Sequence, residues 1–155
     1  MNRWIRDDTL VLARSCPAFA GLDDRALADV VGSCDEEIFA AGSRILTEGL
    51  QGQETFLILE GVAWVVVDAD AVVTLGPGEL FGEMAVLDGG TRTASVIART
   101  RLRCLVLPNR GLRELVLGHP RVGLNLLEML SRRLRLADRR LGGPATAVTS
   151  HPVGA

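Results

Sequence analysis

A glutamate and an arginine stand nine residues apart in an apolar, glycine-rich segment of the chain. The segment from Phe81 to Val96 reads FGEMAVLDGGTRTASV, with Glu83 near its start and Arg92 near its end. Burying a charge without a partner is costly. Either both side chains therefore reach water, or a molecule with its own charge and hydroxyl groups lies between them.

The residues around Glu83 favour the second explanation. A short strand ending at Phe81 is followed by Gly82 and then by good helix formers. A glycine that opens a helical turn leaves backbone N–H groups available to an anion. Glu83 can accept a hydrogen bond from a sugar hydroxyl, and the planar guanidinium of Arg92 suits two oxygens of a phosphate. A cyclic nucleotide monophosphate has that shape. The alternatives are an internal salt bridge or two exposed charges on a loop, and neither explains the placement of the glycines.

Changes of texture along the chain predict the elements that position this segment. Residues 1–34 follow helical spacing, with Asp23 as an N-cap. In residues 35–108, short apolar runs such as TFLILEG and VAWVVV alternate with glycine- or aspartate-rich breaks, which is typical of a β-sandwich or barrel. Residues 109–141 return to helical spacing, and 142–155 form a Pro/Gly tail predicted to be disordered. The expected fold class is α+β: an eight-stranded antiparallel jelly-roll-like β-barrel, flanked by N-terminal helices and by a C-terminal hinge plus long helix.

The long C-terminal helix is predicted to begin with Pro120 in its first turn and to continue to about Leu141. One apolar stripe contains Val122, Leu126 and Met129. A second, which we call the leucine seam, consists of Leu127, Leu130, Leu134, Ala137 and Leu141. Its 3.5-residue period suits pairing with another helix. The seam predicts a weak or ligand-dependent homodimer, a lid over a bound ligand, or both.

Composition argues against several other functions. The 155 residues carry a net charge of −2, so the chain has no general attraction to nucleic acid or to an anionic membrane. No apolar stretch is long enough to span a membrane or act as a signal peptide, which predicts a soluble, cytoplasmic protein. Three cysteines without C-x-x-C spacing and only two histidines predict buried thiols and no metal site. We expect no catalysis, because the segment offers no activated nucleophile and no general-base pair.

The segment resembles the phosphate-binding cassette of the cyclic-nucleotide-binding domain family, patterned F-G-E-(L/M)-A, six residues, then R-x-A-(S/T)-V. The Glu-to-Arg spacing agrees without a gap. The resemblance extends from about Pro17 to Asp138. AGSRILTEG is similar to the family's glycine-bounded strand pair, TFLILEGVAWVV to its strand–Glu–Gly–strand step, and HPRVGLNLLEMLSRRLRLAD to its hinge and C-terminal helix. Together and in order, these segments are a strong signal.

The resemblance implies a role for each matching residue. Glu83 would bind the ribose 2′-hydroxyl, Arg92 the phosphate, and Thr93 would add a hydroxyl that can also reach the amino group of guanine. Backbone contacts around sugar and phosphate would come from Gly82, Met84 and Ala85. Candidate walls for the base are Leu46, Val65 and Val72. The ligand would be cAMP or cGMP, with no further cofactor. Its binding would draw in the cassette, relax the hinge near Asn109 to Pro120 and move the C-terminal helix over the base.

Two departures from catabolite-activator-type relatives leave the specificity and the output open. Where those relatives read the adenine amine with a Thr-Ser pair, this chain has Ala137 and Asp138. Asp138 either accepts a hydrogen bond from the base or is solvated. No helix-turn-helix follows, so we expect a regulatory module with an unknown effector protein. The nearby arginines are expected to solvate the helix end and to complement its dipole, not to bind nucleic acid: Arg132, Arg133, Arg135, Arg139 and Arg140. The remaining alternatives are a degenerate barrel that acts as a protein-interaction domain, and the sensor fragment of a larger channel, kinase or transcription regulator.

Overall fold

The structure is a computed structural model that describes residues 8–108 and 111–140, without the side chains of Ala71, Val72 and Arg140. Its helices are α1 (Thr9–Arg14), α2 (Asp24–Gly32), α3 (Glu83–Asp88), α4 (Gly111–Gly118) and α5 (Pro120–Arg140), with a 3-10 turn at Pro17–Phe19. Its strands are β1 (Asp35–Phe39), β2 (Arg44–Leu46), β3 (Thr55–Glu60), β4 (Ala63–Val67), β5 (Asp70–Leu75), β6 (Leu80–Phe81), β7 (Ser95–Ala98) and β8 (Leu102–Leu107). The predicted hinge residue Asn109, the last seam residue Leu141 and the tail 142–155 lie outside the described residues.

The strands form two four-stranded antiparallel sheets, ordered β1-β8-β3-β6 and β2-β7-β4-β5. Side chains from both sheets share one core, in which Leu46 of β2 and Val96 of β7 lie with Phe56 and Ile58 of β3. Along the chain, helices α1 and α2 precede the strands, and helices α4 and α5 follow them. The predicted α+β fold with a jelly-roll-like barrel is therefore confirmed.

The first of these sheets has an apolar core on each of its faces. Along β3, Phe56 and Ile58 belong to the core inside the barrel, whereas Leu57 and Leu59 belong to the core shared with the helices. Strand β8 repeats the same alternation. Because successive side chains of a strand point to opposite faces, one sheet separates the barrel interior from the helical layer.

The helical layer is fixed by caps and by a buried amide. Asp23 caps α2 as predicted, accepting a hydrogen bond from the Ala26 N–H at 2.8 Å. In α5, the predicted stripe of Val122, Leu126 and Met129 is buried. Beside it, the buried side chain of Asn125 donates to two backbone carbonyls of the 3-10 turn region, each at 2.9 Å. The N-terminal half of α5 is thus anchored to the start of the chain.

A buried arginine anchors α1 to the barrel. Arg103 of β8 is 1% exposed and donates to both carboxylate oxygens of Asp8, at 2.8 and 2.9 Å. It also donates to the Thr9 hydroxyl at 2.9 Å and to the carboxylate of Glu36. The hydrogen bond with Asp8 is the largest of the effects that raise the pKa of Arg103. The Thr9 hydroxyl also donates to the Glu36 carboxylate at 2.9 Å. The start of α1 is therefore joined to strands β1 and β8 in one polar network.

The longest described helix is α5, with 21 residues. In its sequence, arginines lie between residues of the leucine seam. The other described helices are much shorter. No helix within residues 8–108 and 111–140 has the length and apolar composition needed to cross a membrane.

Candidate functional site

The cassette begins at a pair of stacked rings. Phe81 of β6 stacks on Phe56 of β3 with 4.8 Å between ring centroids, and both rings are buried in the barrel core. Gly82 follows with φ of +85°, a left-handed conformation that favours glycine, and α3 starts at the next residue. The rings therefore fix where the chain leaves the barrel, and Gly82 turns it so that Glu83 lies at the first position of α3.

Glu83 is 3% exposed and forms an ion pair with an arginine of the last helix. The Nη1 of Arg133 in α5 lies 2.6 Å from the Glu83 Oε1, and its Nη2 donates to the carbonyl of Leu80. Burial raises the pKa of the Glu83 carboxyl, while Arg133 and, more weakly, Arg92 oppose that shift. The prediction that Arg133 solvates the helix end is wrong, because this side chain turns back to the cassette.

Arg92 is 4% exposed and is held by backbone oxygens. Its Nη1 donates to the carbonyl of Gly82 at 2.9 Å, and its Nη2 donates to the carbonyl of Glu54 at 3.0 Å. Burial lowers the pKa of the guanidinium, and the nearby carboxylates of Glu54 and Glu83 oppose this effect. Arginine nevertheless stays protonated in proteins. The site therefore contains a fixed, desolvated cation.

The environments of Glu83 and Arg92 differ from each explanation that the sequence offered for these two charges. Glu83 and Arg92 are both buried, so neither is an exposed loop charge. Glu83 does form an internal salt bridge, but its partner is Arg133. Arg92 uses carbonyls in place of a carboxylate. The two charges therefore have different partners, although Arg92 reaches the carbonyl of the residue before Glu83, and each retains hydrogen-bonding capacity for a ligand.

The other cassette residues divide into buried and exposed ones. Ala85 is a buried residue of α3, whereas Met84 and Thr93 are exposed, with 3.9 Å between the Thr93 hydroxyl and the Met84 sulfur. The prediction that Met84 and Ala85 contribute through their backbone is compatible with these positions. Thr93 lies next to Arg92 with its hydroxyl at the surface.

The predicted base walls are placed in part. Leu46 is buried in the barrel core, and its Cδ1 would lie 3.5 Å from a Cβ built on Gly82, so it is close to the start of the cassette. Val65 is half-buried against the same core and pairs with Val73 of β5. The side chain of Val72 lies outside the described part, and its role stays a prediction.

Asp138 lies on a different side of α5 from the cassette contact. It follows Leu134 of the leucine seam by four residues and Arg133 by five, so it lies nearer to Leu134 than to Arg133 around the helix. Among the described residues, Arg133 contacts Glu83, whereas Asp138 forms no hydrogen bond or ion pair with Glu83 or Arg92. Sequence reasoning missed Arg133, although the Arg-Arg-Leu triplet was the available signal.

All three thiols are buried, which raises the pKa of Cys16 to about 11 and that of Cys34 and Cys104 to about 12, so they are protonated at neutral pH. Among residues 8–108 and 111–140, no three His, Cys, Asp or Glu side chains are grouped to hold a metal ion. What the cassette does provide is a carboxylate acceptor and a guanidinium donor.

Residues 36–119 match the family described as the cyclic nucleotide-binding domain, and this match covers more than half of the chain. The chain therefore belongs to the cyclic nucleotide-binding domain family, as its sequence resemblance indicated.

Individual relatives agree with this family. The chain is 32% identical over 133 residues to the cyclic AMP receptor protein of Thermus thermophilus, covering 83% of this chain and 62% of that protein. It is 28% identical over 136 residues to a CRP-like cAMP-activated global transcriptional regulator of Mycobacterium tuberculosis, covering 84% of this chain and 60% of the relative. The crystal structure of the Thermus thermophilus catabolite activator protein matches with a TM-score of 0.72 and 33% identity, over 81% of this chain and 61% of that chain. The chain thus spans about three fifths of the length of these relatives.

Proposed function

We propose that this chain binds cAMP or cGMP non-covalently between Glu83 and Arg92 and acts as a regulatory sensor. The observation that carries the proposal is the burial of these two opposite charges within one cassette, with Arg133 holding Glu83 and two backbone carbonyls holding Arg92. Two relatives are named for cAMP, which makes cAMP the first ligand to test. The role we propose is binding, and no catalytic step is part of it.

The unused hydrogen-bonding capacity of Arg92 and Glu83 indicates which part of the ligand each residue would bind. A guanidinium has five N–H donors, and the two carbonyls occupy two of them, which leaves the others for phosphate oxygens. The Glu83 carboxylate has a second oxygen besides the one that Arg133 contacts, and it can accept from the ribose 2′-hydroxyl. Thr93 would add its surface hydroxyl beside the phosphate, while Leu46 and Val65 would contact the base.

Contacts from both C-terminal helices support coupling between the ligand and α5. Arg113 of α4 donates to the carbonyl of Leu87 at the end of α3 at 2.7 Å, and Arg133 of α5 reaches Glu83. Asn125 anchors the other half of α5. A ligand that bonds Glu83 alters the carboxylate with which Arg133 pairs. If the ligand binds more tightly to one position of the C-terminal half of α5 than to another, it favours that position.

The leucine seam supports a homodimer as part of the same proposal. Leu127 and Leu134 are 62% and 64% exposed, although they lie on the same helix as a fully buried stripe. Leu130 between them is half-buried. A second copy of α5 would bury these side chains, and a short seam of this kind gives a weak or ligand-dependent dimer. The effector protein would be a further partner, and a cytoplasmic location fits the buried cysteines.

Isothermal titration with cAMP and cGMP tests the proposed function. Wild-type protein should bind at least one nucleotide, and Arg92→Ala should weaken binding by roughly 30-fold or more, since losing a desolvated charge pair costs about 2–5 kcal/mol. Arg25→Ala, which removes an exposed arginine of α2, is the matched control and should bind as wild type does. Equal affinity of Arg92→Ala and wild type would refute the phosphate site. A wild type that binds neither nucleotide would favour a degenerate barrel.

Hydrogen exchange tests the coupling separately. Saturating nucleotide should change the amide exchange of residues 131–140 more than that of residues 121–130, which are anchored by the buried stripe and Asn125. If the nucleotide binds but changes neither half of α5, the coupling to this helix is refuted while the binding function stands.

A further inference from the structure

The edge of the Arg92 guanidinium formed by its Nε and Nη2 lies against the backbone of Gly52. A Cβ built on Gly52 would lie 2.5 Å from the Nε of Arg92, 2.6 Å from its Nη2 and 2.8 Å from its Cζ. All three distances are shorter than a van der Waals contact between heavy atoms. The position that Arg92 occupies is therefore available only because residue 52 has no side chain.

The same loop also holds the backbone of Arg92. In the loop of residues 47–54, the N–H of Gly49 donates to the carbonyl of Arg92 at 2.9 Å, and the N–H of Arg92 donates to the carbonyl of Leu50 at 2.9 Å. The carbonyl of Glu54 then accepts from the guanidinium at 3.0 Å. One loop thus fixes both the backbone and the charged group of this residue, with Gly52 beside the Nε and Nη2 atoms of the guanidinium.

The need for glycine at position 52 differs from the need at Gly82. Gly82 has a φ of +85°, and a Cβ there would lie 2.8 Å from the carbonyl oxygen of Glu54, so a side chain would strain the backbone. Gly52 does not have a left-handed φ, and the atoms that a Cβ would meet are the far end of a flexible side chain. A methyl group at position 52 would therefore move the guanidinium and leave the backbone fold in place.

From these contacts we infer that Gly52 is a positioning residue for Arg92, setting the plane and depth of the guanidinium that receives the ligand's anionic group. This inference rests on the proposed function where it concerns the ligand. It adds a specificity element outside the cassette: the 47–54 loop decides where the phosphate can be bound, since a shift of about 1 Å in a charged donor is enough to lose its hydrogen bonds.

Titration of Gly52→Ala with cAMP and cGMP tests the consequence for binding. The variant should unfold at nearly the same temperature as wild type and bind about tenfold or more weakly. Gly76→Ala is the matched control, because Gly76 is also a loop glycine without a left-handed φ and a Cβ there meets nothing within 4 Å. It should bind normally. Combining Gly52→Ala with Arg92→Ala should weaken binding no further than Arg92→Ala alone. Additive losses, wild-type affinity of Gly52→Ala or its failure to fold would each overturn the inference.

A measurement without ligand separates this inference from the proposed function. The Arg92 Nε–H resonance can be assigned in ¹⁵N-labelled protein by its loss in Arg92→Lys. It should shift strongly in Gly52→Ala and remain unchanged in Gly76→Ala, whether or not a nucleotide binds. An unchanged resonance in Gly52→Ala would overturn the positioning role. A shifted resonance in a protein that binds neither nucleotide would uphold the geometry and refute only the assigned ligand.

Discussion

Replacing Arg103 by alanine should destabilise the fold far more than replacing an exposed arginine. Glu36, 9% exposed at its side chain, would lose its cationic partner inside the protein. Breaking a buried pair in this way costs about 3–5 kcal/mol. Asp8 and Glu60, the other carboxylates near Arg103, are about half-exposed and should add little. For a chain of 155 residues, each kcal/mol lowers the melting temperature by about 2–4 °C, so we expect a drop of about 6–20 °C.

Urea and thermal unfolding followed by circular dichroism measure this loss, and Arg14→Ala provides the scale. Arg14 also pairs with an aspartate, Asp24, but both side chains are exposed, so its loss should cost only about 0–1 kcal/mol. Arg103→Lys, which keeps the charge without the planar fork, should fall between the two. If Arg103→Ala were no more destabilised than Arg14→Ala, the reasoning that burial makes this network costly to break would be refuted.

Three further predictions concern the site and the seam. Thr93→Ala should weaken cGMP binding by about 0.5–1.5 kcal/mol and cAMP binding less, in parallel titrations, if its hydroxyl reaches the guanine amino group. Because burial raises the pKa of Glu83, nucleotide affinity should already fall at pH values where an exposed glutamate is still ionised, and Glu83→Gln should lack this pH dependence. Leu134→Glu should abolish any dimer detected by light scattering with or without nucleotide, because it places a charge in the seam.

Each of these has an outcome that would contradict it. Equal losses of both nucleotides in Thr93→Ala would limit this residue to phosphate contact. For Glu83, the raised pKa means that its protonated form favours the fold: its contribution to the free energy of unfolding is present at low pH and is lost as the pH rises through that pKa. Acid unfolding through this group therefore cannot account for weaker binding, and a pH-independent affinity would refute the role of the carboxylate. Leu117→Glu, at an exposed leucine of α4 outside the seam, should leave association unchanged. A wild type that is monomeric under all conditions would refute the dimer.

The sequence predicted those features that depend on neighbours along the chain. Asp23 could be assigned as a cap from the residues that follow it, and the strands could be expected from glycine breaks between short apolar runs. The cassette itself is a local pattern, with both charges inside one stretch of sixteen residues from Phe81 to Val96. Its resemblance to a family added the roles of Glu83 and Arg92, which spacing alone left open.

The partners of those charges could not be predicted, because two of them come from distant parts of the chain and two are backbone carbonyls. Arg133 is 50 residues from Glu83, and the carbonyl of Glu54 is 38 residues from Arg92. A backbone carbonyl also has no sequence signature, since every residue carries one. Gly52 is one of many glycines between the apolar runs of the sequence, and only the fold shows that a guanidinium fills the space beside it. Arg103 appears as a single charge in an apolar strand until β8 is placed against β1 and α1.

The two-sided sheet has a consequence for anyone who wishes to transplant this module. Leu57 and Leu59 of β3, with their counterparts on β8, are covered only by the helical layer. A fragment that ends after β8 would keep the barrel interior and the N-terminal helices but would lose the part of the layer that α4 and α5 provide, which would expose apolar surface and favour aggregation. The barrel and its helices should therefore be kept together as one unit in fusion proteins. A graft onto another protein should be spliced beyond α5, so that the joint does not uncover the sheet.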